Sequence, residues 1–182
     1  MNNLMVDLET LGKTPGCVVL SIGAVAFDNS GLSQERFYEE ININSSKTSG
    51  QLFTDQSTLD WWSKQSGEAK ALLSRCGTGG LELDNALLKF SRFMFTECDK
   101  DLKIWGNGAS FDEPILSEAY KSIGLTPPWK YFNSRCYRTL KAFGEGIVKE
   151  SDFAGVKHNA LDDAVHQAAH AVKIVNHFGI QL

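Results

Sequence analysis

Two carboxylates at i and i+2, at the end of an apolar run, constrain this chain more than any other feature of it. The stretch Leu4-Met5-Val6-Asp7-Leu8-Glu9 is apolar until it meets Asp7 and Glu9. In a strand, side chains alternate faces, so both acids fall on the same side. At roughly 4 Å and an effective dielectric of about 20, two such charges repel by on the order of 4 kcal/mol. On a buried strand the pair therefore needs a cation or a proton between its members. A divalent metal site is one reading. A strand that ends here with its acids in water is the other, and the stretch alone leaves both open.

The 182 residues are expected to form a single domain spanning 1–182, large enough to bury most of the surface of the unfolded chain. A net charge of −4 argues against a protein that coats nucleic acid through a broad basic face, and a polyanion would have to be met at a local site. Such a balance leaves room for an enzyme whose metals supply the positive charge. Cys17, Cys76, Cys98 and Cys136 are far apart with no C-x-x-C pair, which disfavours a zinc site and a disulfide framework. A reduced, cytoplasmic protein is the expectation, with no leader and no membrane span, since no run approaches about 18 apolar residues.

The first third reads as a strand meander. A Gly- and Pro-containing loop, 10–16, separates the first strand from the β-rich run Val18 to Phe27. Asp28-Asn29-Ser30-Gly31 is turn chemistry, and Glu35 to Ile43 alternates as a third strand. Short links between three consecutive strands predict antiparallel pairing. A polar linker from Asn44 to Gly50 leads into helices that start near Asp55, near Ser66 and near Leu81. Adjacent Trp61 and Trp62 cannot face the same way, so one belongs to the core and the other is a candidate for stacking on a base.

Leu102 to Trp105 predicts a short strand, followed by Gly106-Asn107-Gly108-Ala109-Ser110-Phe111-Asp112 and a helix to about Gly124. Phe111 takes the place of the third glycine of a dinucleotide loop and no phosphate-loop lysine follows, so nucleotide cradling is rejected. Asp112 alone reads as a helix cap. Ser134 to Phe143 predicts a helix whose Arg135, Arg138 and Lys141 share a face, either solvated or touching a phosphate backbone. Asn159 is a good N-cap for a last helix reaching about Phe178. His158 and Asp163, at i and i+5, can share a task only if His158 lies in the preceding loop and folds back.

D-x-E on the first strand, then N-x-x-x-F-D, then H-x-x-x-x-D at the last helix resembles the three motifs of the DEDDh group of DnaQ-like 3′–5′ exonucleases, which share the RNase H-like fold. The matching residues are Asp7 and Glu9; Asn107, Phe111 and Asp112; and His158 and Asp163. Ser21-Ile22-Gly23-Ala24-Val25 and Leu59-Asp60-Trp61-Trp62 with Gln65 look like the phage and prophage branch, similar to exodeoxyribonuclease VIII-like enzymes and related to RNase AS. The resemblance implies an α/β fold with a mixed five-stranded sheet, strands 1–3 antiparallel, helices on both faces and the carboxylates at one edge of the sheet. It implies two Mg²⁺ or Mn²⁺ ions, with Asp7 bridging both, Glu9 and Asp163 on the ion that activates water, and Asp112 on the other. His158 would be the general base. Asp162 is the rival of Asp163, and motif spacing favours the latter. Thr10, Leu11, Asn107 and Trp62 are the expected substrate-binding residues, with Phe53 a further candidate for stacking. The implied reaction releases nucleoside 5′-monophosphates from a nucleic acid 3′ end, single-stranded DNA favoured. RNA 3′ ends are the alternative, and a non-catalytic nucleic-acid-binding module is a remoter one. A homodimer is common among small relatives, and a phage-encoded chain would work in the cytoplasm of a bacterial host.

Overall fold

The computed structural model describes residues 1–65 and 67–182 and centres on the first strand. β1 (Asn3–Thr10) is the middle member of a five-stranded sheet, flanked on one side by β2 (Val19–Asp28) and β3 (Gly31–Glu40). On its other side lie β4 (Lys103–Gly106) and β5 (Ser134–Cys136). β1, β2 and β3 pair antiparallel, whereas β4 runs parallel to β1 and β5 parallel to β4. The mixed α/β sheet expected from the sequence is therefore present. One detail differs: Asp7 and Glu9 belong to the central strand, near its C-terminal end, and not to an edge of the sheet.

Period-two alternation decides what β1 faces. Leu4, Val6 and Leu8 enter the larger core with residues of α3 (Gly67–Thr78), α4 (Leu83–Glu97) and α5 (Asp112–Ser122). Met5 points the other way, packing with Val25, Phe27 and Trp105 against Ala164, Ala168 and Ala171 of α7 (Ala160–His177). Asp7 and Glu9 continue the Met5 face, so they lie under α7. The alanine stripe lets that helix approach the sheet closely, and Gly23 takes the approach furthest. Gly23 pairs with Asp7, and a Cβ there would lie 2.1 Å from the carbonyl carbon of Ala160.

Two elements depart from the sequence reading. Residues 44–50 are not a linker, because α1 (Ile43–Thr48) forms under a cap in which Asn42 Oδ1 accepts from the Ser45 amide at 3.0 Å. Its polarity hides the helix, since the hydroxyls of Ser45 and Ser46 turn back to the Asn42 carbonyl. Ser134–Cys136 is drawn into the sheet by β4, so α6 spans only Tyr137–Gly144 and Arg135 shares no helix face with Arg138 and Lys141. α2 (Gln56–Trp62) starts at the Asp55 cap, as its sequence predicts.

Candidate active site

Asp7 and Glu9 leave β1 on one side, and α7 lays Asp163 over them. Ligand oxygens of the three carboxylates lie within 4.8 Å of one another. The N-cap Asn159 fixes the start of α7, its Oδ1 accepting from the amides of Leu161 and Asp162 at 3.0 and 3.2 Å. One turn beyond Asp163, Gln167 donates from Nε2 to Asp7 Oδ1 at 2.8 Å, while its buried Oε1 has no hydrogen-bond partner among the described residues. Gln167 went unnoticed in the sequence. Its signal is its position four residues after Asp163 on the same helix face.

The fourth acid comes from the far side of β1. Asp112 is buried and does not cap its own helix, whose N-cap is Phe111. It accepts instead from the amide of Leu8 at 3.3 Å and from that of Asn107 at 2.8 Å, tying β1 to the loop after β4. Gly106 makes room for this, since a Cβ there would lie 2.8 Å from Asp112 Oδ2. Asp112 stands beside the three-acid cluster and not within it. Its charge nevertheless reaches both Asp7 and Glu9.

Burial pushes all four acids upward, and at Asp7 and Glu9 the charges of neighbouring acids add to it. Asp7 lies well above the usual carboxylate range, through burial first and then the charges of Asp112, Glu9 and Asp163. Glu9 is pushed up to about 8 by burial, then by Asp163 and Asp112. Burial raises Asp112 to about 6, against the pull of the amides it accepts from, and raises Asp163 despite the His158 amide. Buried acids gathered in this way carry their charges together only at a cost, which a cation among them relieves.

His158 occupies the loop before the N-cap, with φ of +66°, and folds back as the i,i+5 spacing required. Its amide donates to Asp163 Oδ2 at 3.1 Å, and its ring packs edge-on against Trp61 at 5.1 Å. Asp162 is occupied elsewhere. It accepts from the amide of Val156 at 2.8 Å and fills the space that Gly155, at φ +124°, leaves free.

Of the residues expected at the substrate, Thr10 and Asn107 line a cleft of about 430 Å³ together with Asp7, Glu9, Asp163, His158 and Phe111. Leu11 does not. Its side chain is 1% exposed, and its amide and carbonyl are committed to Val18 and Asp55. The tryptophans exchange the expected parts: Trp62 is 1% exposed and donates from Nε1 to the Thr10 carbonyl at 2.9 Å, so it forms the cleft floor and cannot stack on a base. Trp61, 42% exposed, is the one that faces the opening. Phe53 is exposed but packs beside Gly12 and Gly16, outside the cleft. Arg135 turns back to the carbonyls of Phe132 and Ser134, while Arg138 donates to the Asn107 carbonyl at 2.7 Å.

A family model described as the 3′–5′ exoribonuclease Rv2179c-like domain matches residues 2–175. The chain is 26% identical to an exodeoxyribonuclease of Enterobacteria phage T4, over 93% of this chain and 85% of the relative. Among solved structures, the fold is similar to the nuclease domain of 3′hExo, a DEDDh family member bound to rAMP. The TM-score is 0.63 at 14% identity, covering 96% of this chain and 92% of that one. Cell-death related nuclease 4 gives a TM-score of 0.63 at 15% identity, over 96% of this chain and 64% of that one. Exonuclease X in complex with 5′ overhanging duplex DNA gives 0.57 at 14%, over 97% and 93%.

Proposed function

Because the chain belongs to the family of the 3′–5′ exoribonuclease Rv2179c-like domain and is a DnaQ-like 3′–5′ exonuclease of the DEDDh type, we propose that it removes nucleotides from single-stranded 3′ ends, DNA favoured, with two divalent ions and a histidine base. The donor set fits Mg²⁺ or Mn²⁺: hard carboxylate oxygens of Asp7, Glu9 and Asp163 converge within 4.8 Å, and burial with repulsion at Asp7 and Glu9 opposes their charged forms in the absence of a cation. Asp7, Glu9 and Asp163 would hold one ion, and Asp112 with Asp7 the second, each Asp112 oxygen keeping a lone pair beyond the amide it accepts from. Such ions supply charge stabilisation to the attacking and departing oxygens of the scissile phosphate.

The chain's own residues do the rest. Gln167 fixes the orientation of Asp7 through Nε2. His158, anchored to Asp163 by its backbone and to Trp61 by its ring, takes the proton of the attacking water, a task suited to imidazole near neutral pH. Thr10 and Asn107 border the terminal nucleotide. The leaving group is the 3′-oxygen of the preceding residue, and the product is a nucleoside 5′-monophosphate.

The observation that carries this reading is the meeting of acids from the first strand and the last helix, linked by the Gln167–Asp7 bond across 160 positions. The test is a 5′-labelled single strand incubated with Mg²⁺ or Mn²⁺. Stepwise shortening from the 3′ end, abolished by chelation and by Asp163→Asn, is expected; an unshortened strand under both metals overturns it. A second reading, RNA as substrate, is favoured by the description of the matching family model. Matched DNA and RNA strands in competition decide between them.

A further inference from the structure

A strand whose last nucleotide sits in the acid-lined cleft has to lead its remaining phosphates somewhere, and the cleft itself offers them Lys13 and little else that is positive. Two neighbouring grooves adjoin it. One shares His158 and carries a balanced pair, Glu68 and Lys157. The other lies between α6 and the loop that follows it, has a volume of about 490 Å³, and begins at Arg138. Arg138 is the hinge between groove and cleft, since its guanidinium donates to the carbonyl of Asn107, whose amide in turn holds Asp112.

Charge separates the two. The second groove sets Arg138, Lys141 and Lys149 against Glu145 and Glu150. Glu150 is already engaged, accepting from Tyr137 Oη at 3.0 Å and paired with Lys141 at 2.5 Å. Lys149 is exposed and forms no ion pair among the described residues. Arg138 spends one N–H on a neutral carbonyl, leaving the rest of its five donors to a phosphate. On a chain of net charge −4, a groove with three cations against two acids, tied to the acid-lined cleft by the Arg138–Asn107 bond, is a local departure from the general balance.

We propose that the groove bounded by Arg138, Lys141 and Lys149 binds the sugar-phosphate backbone of the substrate strand upstream of the nucleotide being removed, with Arg138 at the junction. This rests on the exonuclease reading above and adds to it the path the strand takes. The contacts are to phosphates, so they confer affinity and salt sensitivity without sequence preference. The proposal accounts for Arg138 and Lys141, whose cationic character stands out in the sequence but lies outside the acid cluster.

The experiment compares a single-stranded 20-mer with a dinucleotide, which has one linkage and no upstream phosphates, for the wild type, Lys149→Glu, Arg138→Gln and, in the other groove, Lys157→Glu. The readout is the ratio of kcat/KM on the 20-mer to that on the dinucleotide. In the wild type the ratio exceeds one and falls with salt. Lys149→Glu and Arg138→Gln lower it roughly three- to fivefold at low salt, the size of about one exposed charge contact. Each also flattens the dependence of log(kcat/KM) on log[salt] for the 20-mer by about 0.7, the value for one phosphate on a single strand. Lys157→Glu leaves the ratio within twofold. A ratio insensitive to Lys149 and Arg138, or one that falls equally with Lys157→Glu, overturns the proposal, whereas a wild type that cuts neither substrate overturns the exonuclease reading beneath it.

Discussion

Removing divalent metal makes the fold sensitive to pH in a direction set by Glu9. Its carboxyl, 4.5 in an unfolded chain, is raised to about 8 in the folded protein by burial and by Asp163 and Asp112. A carboxyl whose folded value is raised contributes its full stability below pH 4.5, and that contribution is lost as the pH climbs through 8. At 1.36 kcal/mol per pH unit, the loss approaches roughly 5 kcal/mol, an upper limit because the neighbouring acids share the protons. For a domain of this size each kcal/mol corresponds to about 2–4 °C in Tm. Thermal unfolding in EDTA should therefore give a Tm that falls by several degrees between pH 5 and pH 8.5. Mg²⁺ or Mn²⁺ should restore it, and by far more at pH 8.5 than at pH 5, because at low pH the ion must displace protons. Glu9→Gln should flatten the EDTA profile while raising the Tm at pH 8.5. A metal-free profile that is level over this range, or a metal-induced shift equal at both pH values, would refute the electrostatic account of the cluster.

Asp163→Asn should abolish shortening of a labelled strand, whereas Asp162→Asn should keep it and lower Tm modestly through weakening of the Val156 contact; an inactive Asp162→Asn beside an active Asp163→Asn would reverse the assignment. Gly23→Ala places a Cβ 2.1 Å from the Ala160 carbonyl carbon, so α7 must retreat by about 1 Å, enough to cost about 100-fold in kcat. Wild-type turnover in this variant would show that the helix and strand are not so closely locked. Trp62→Ala should destabilise by about 3–5 kcal/mol in chemical denaturation, as a buried indole does. Trp61→Ala should change stability by under about 1 kcal/mol yet reduce kcat on strands, and full kcat would disconnect Trp61 from His158.

The sheet was legible because β1, β2 and β3 carry period-two and apolar patterns that no tertiary contact overrides. The acids were legible as an ensemble and not singly: Asp112 taken alone looked like a cap, whereas in the structure it accepts from the amides of Leu8 and Asn107. What the sequence hid was directional. Trp61 and Trp62 differ by one position, and which of them turns inward depends on the Thr10 carbonyl, which lies 52 positions from Trp62. Leu11 was expected at the substrate, yet its backbone is claimed by Val18 and Asp55 from two other segments. Gln167 carried no motif, being visible only as the neighbour of Asp163 one turn on. Arg135 was assigned to a helix because the pull of a parallel neighbour strand leaves no local trace.

The glycine opposite Asp7 also bears on when the protein can begin to cut. The acids of the cluster come from β1 and from a helix that docks through that bare backbone position, so a chain lacking α7 carries Asp7 and Glu9 without Asp163. A fragment ending before that helix should therefore show no hydrolysis of a labelled strand, whatever the fold of its sheet.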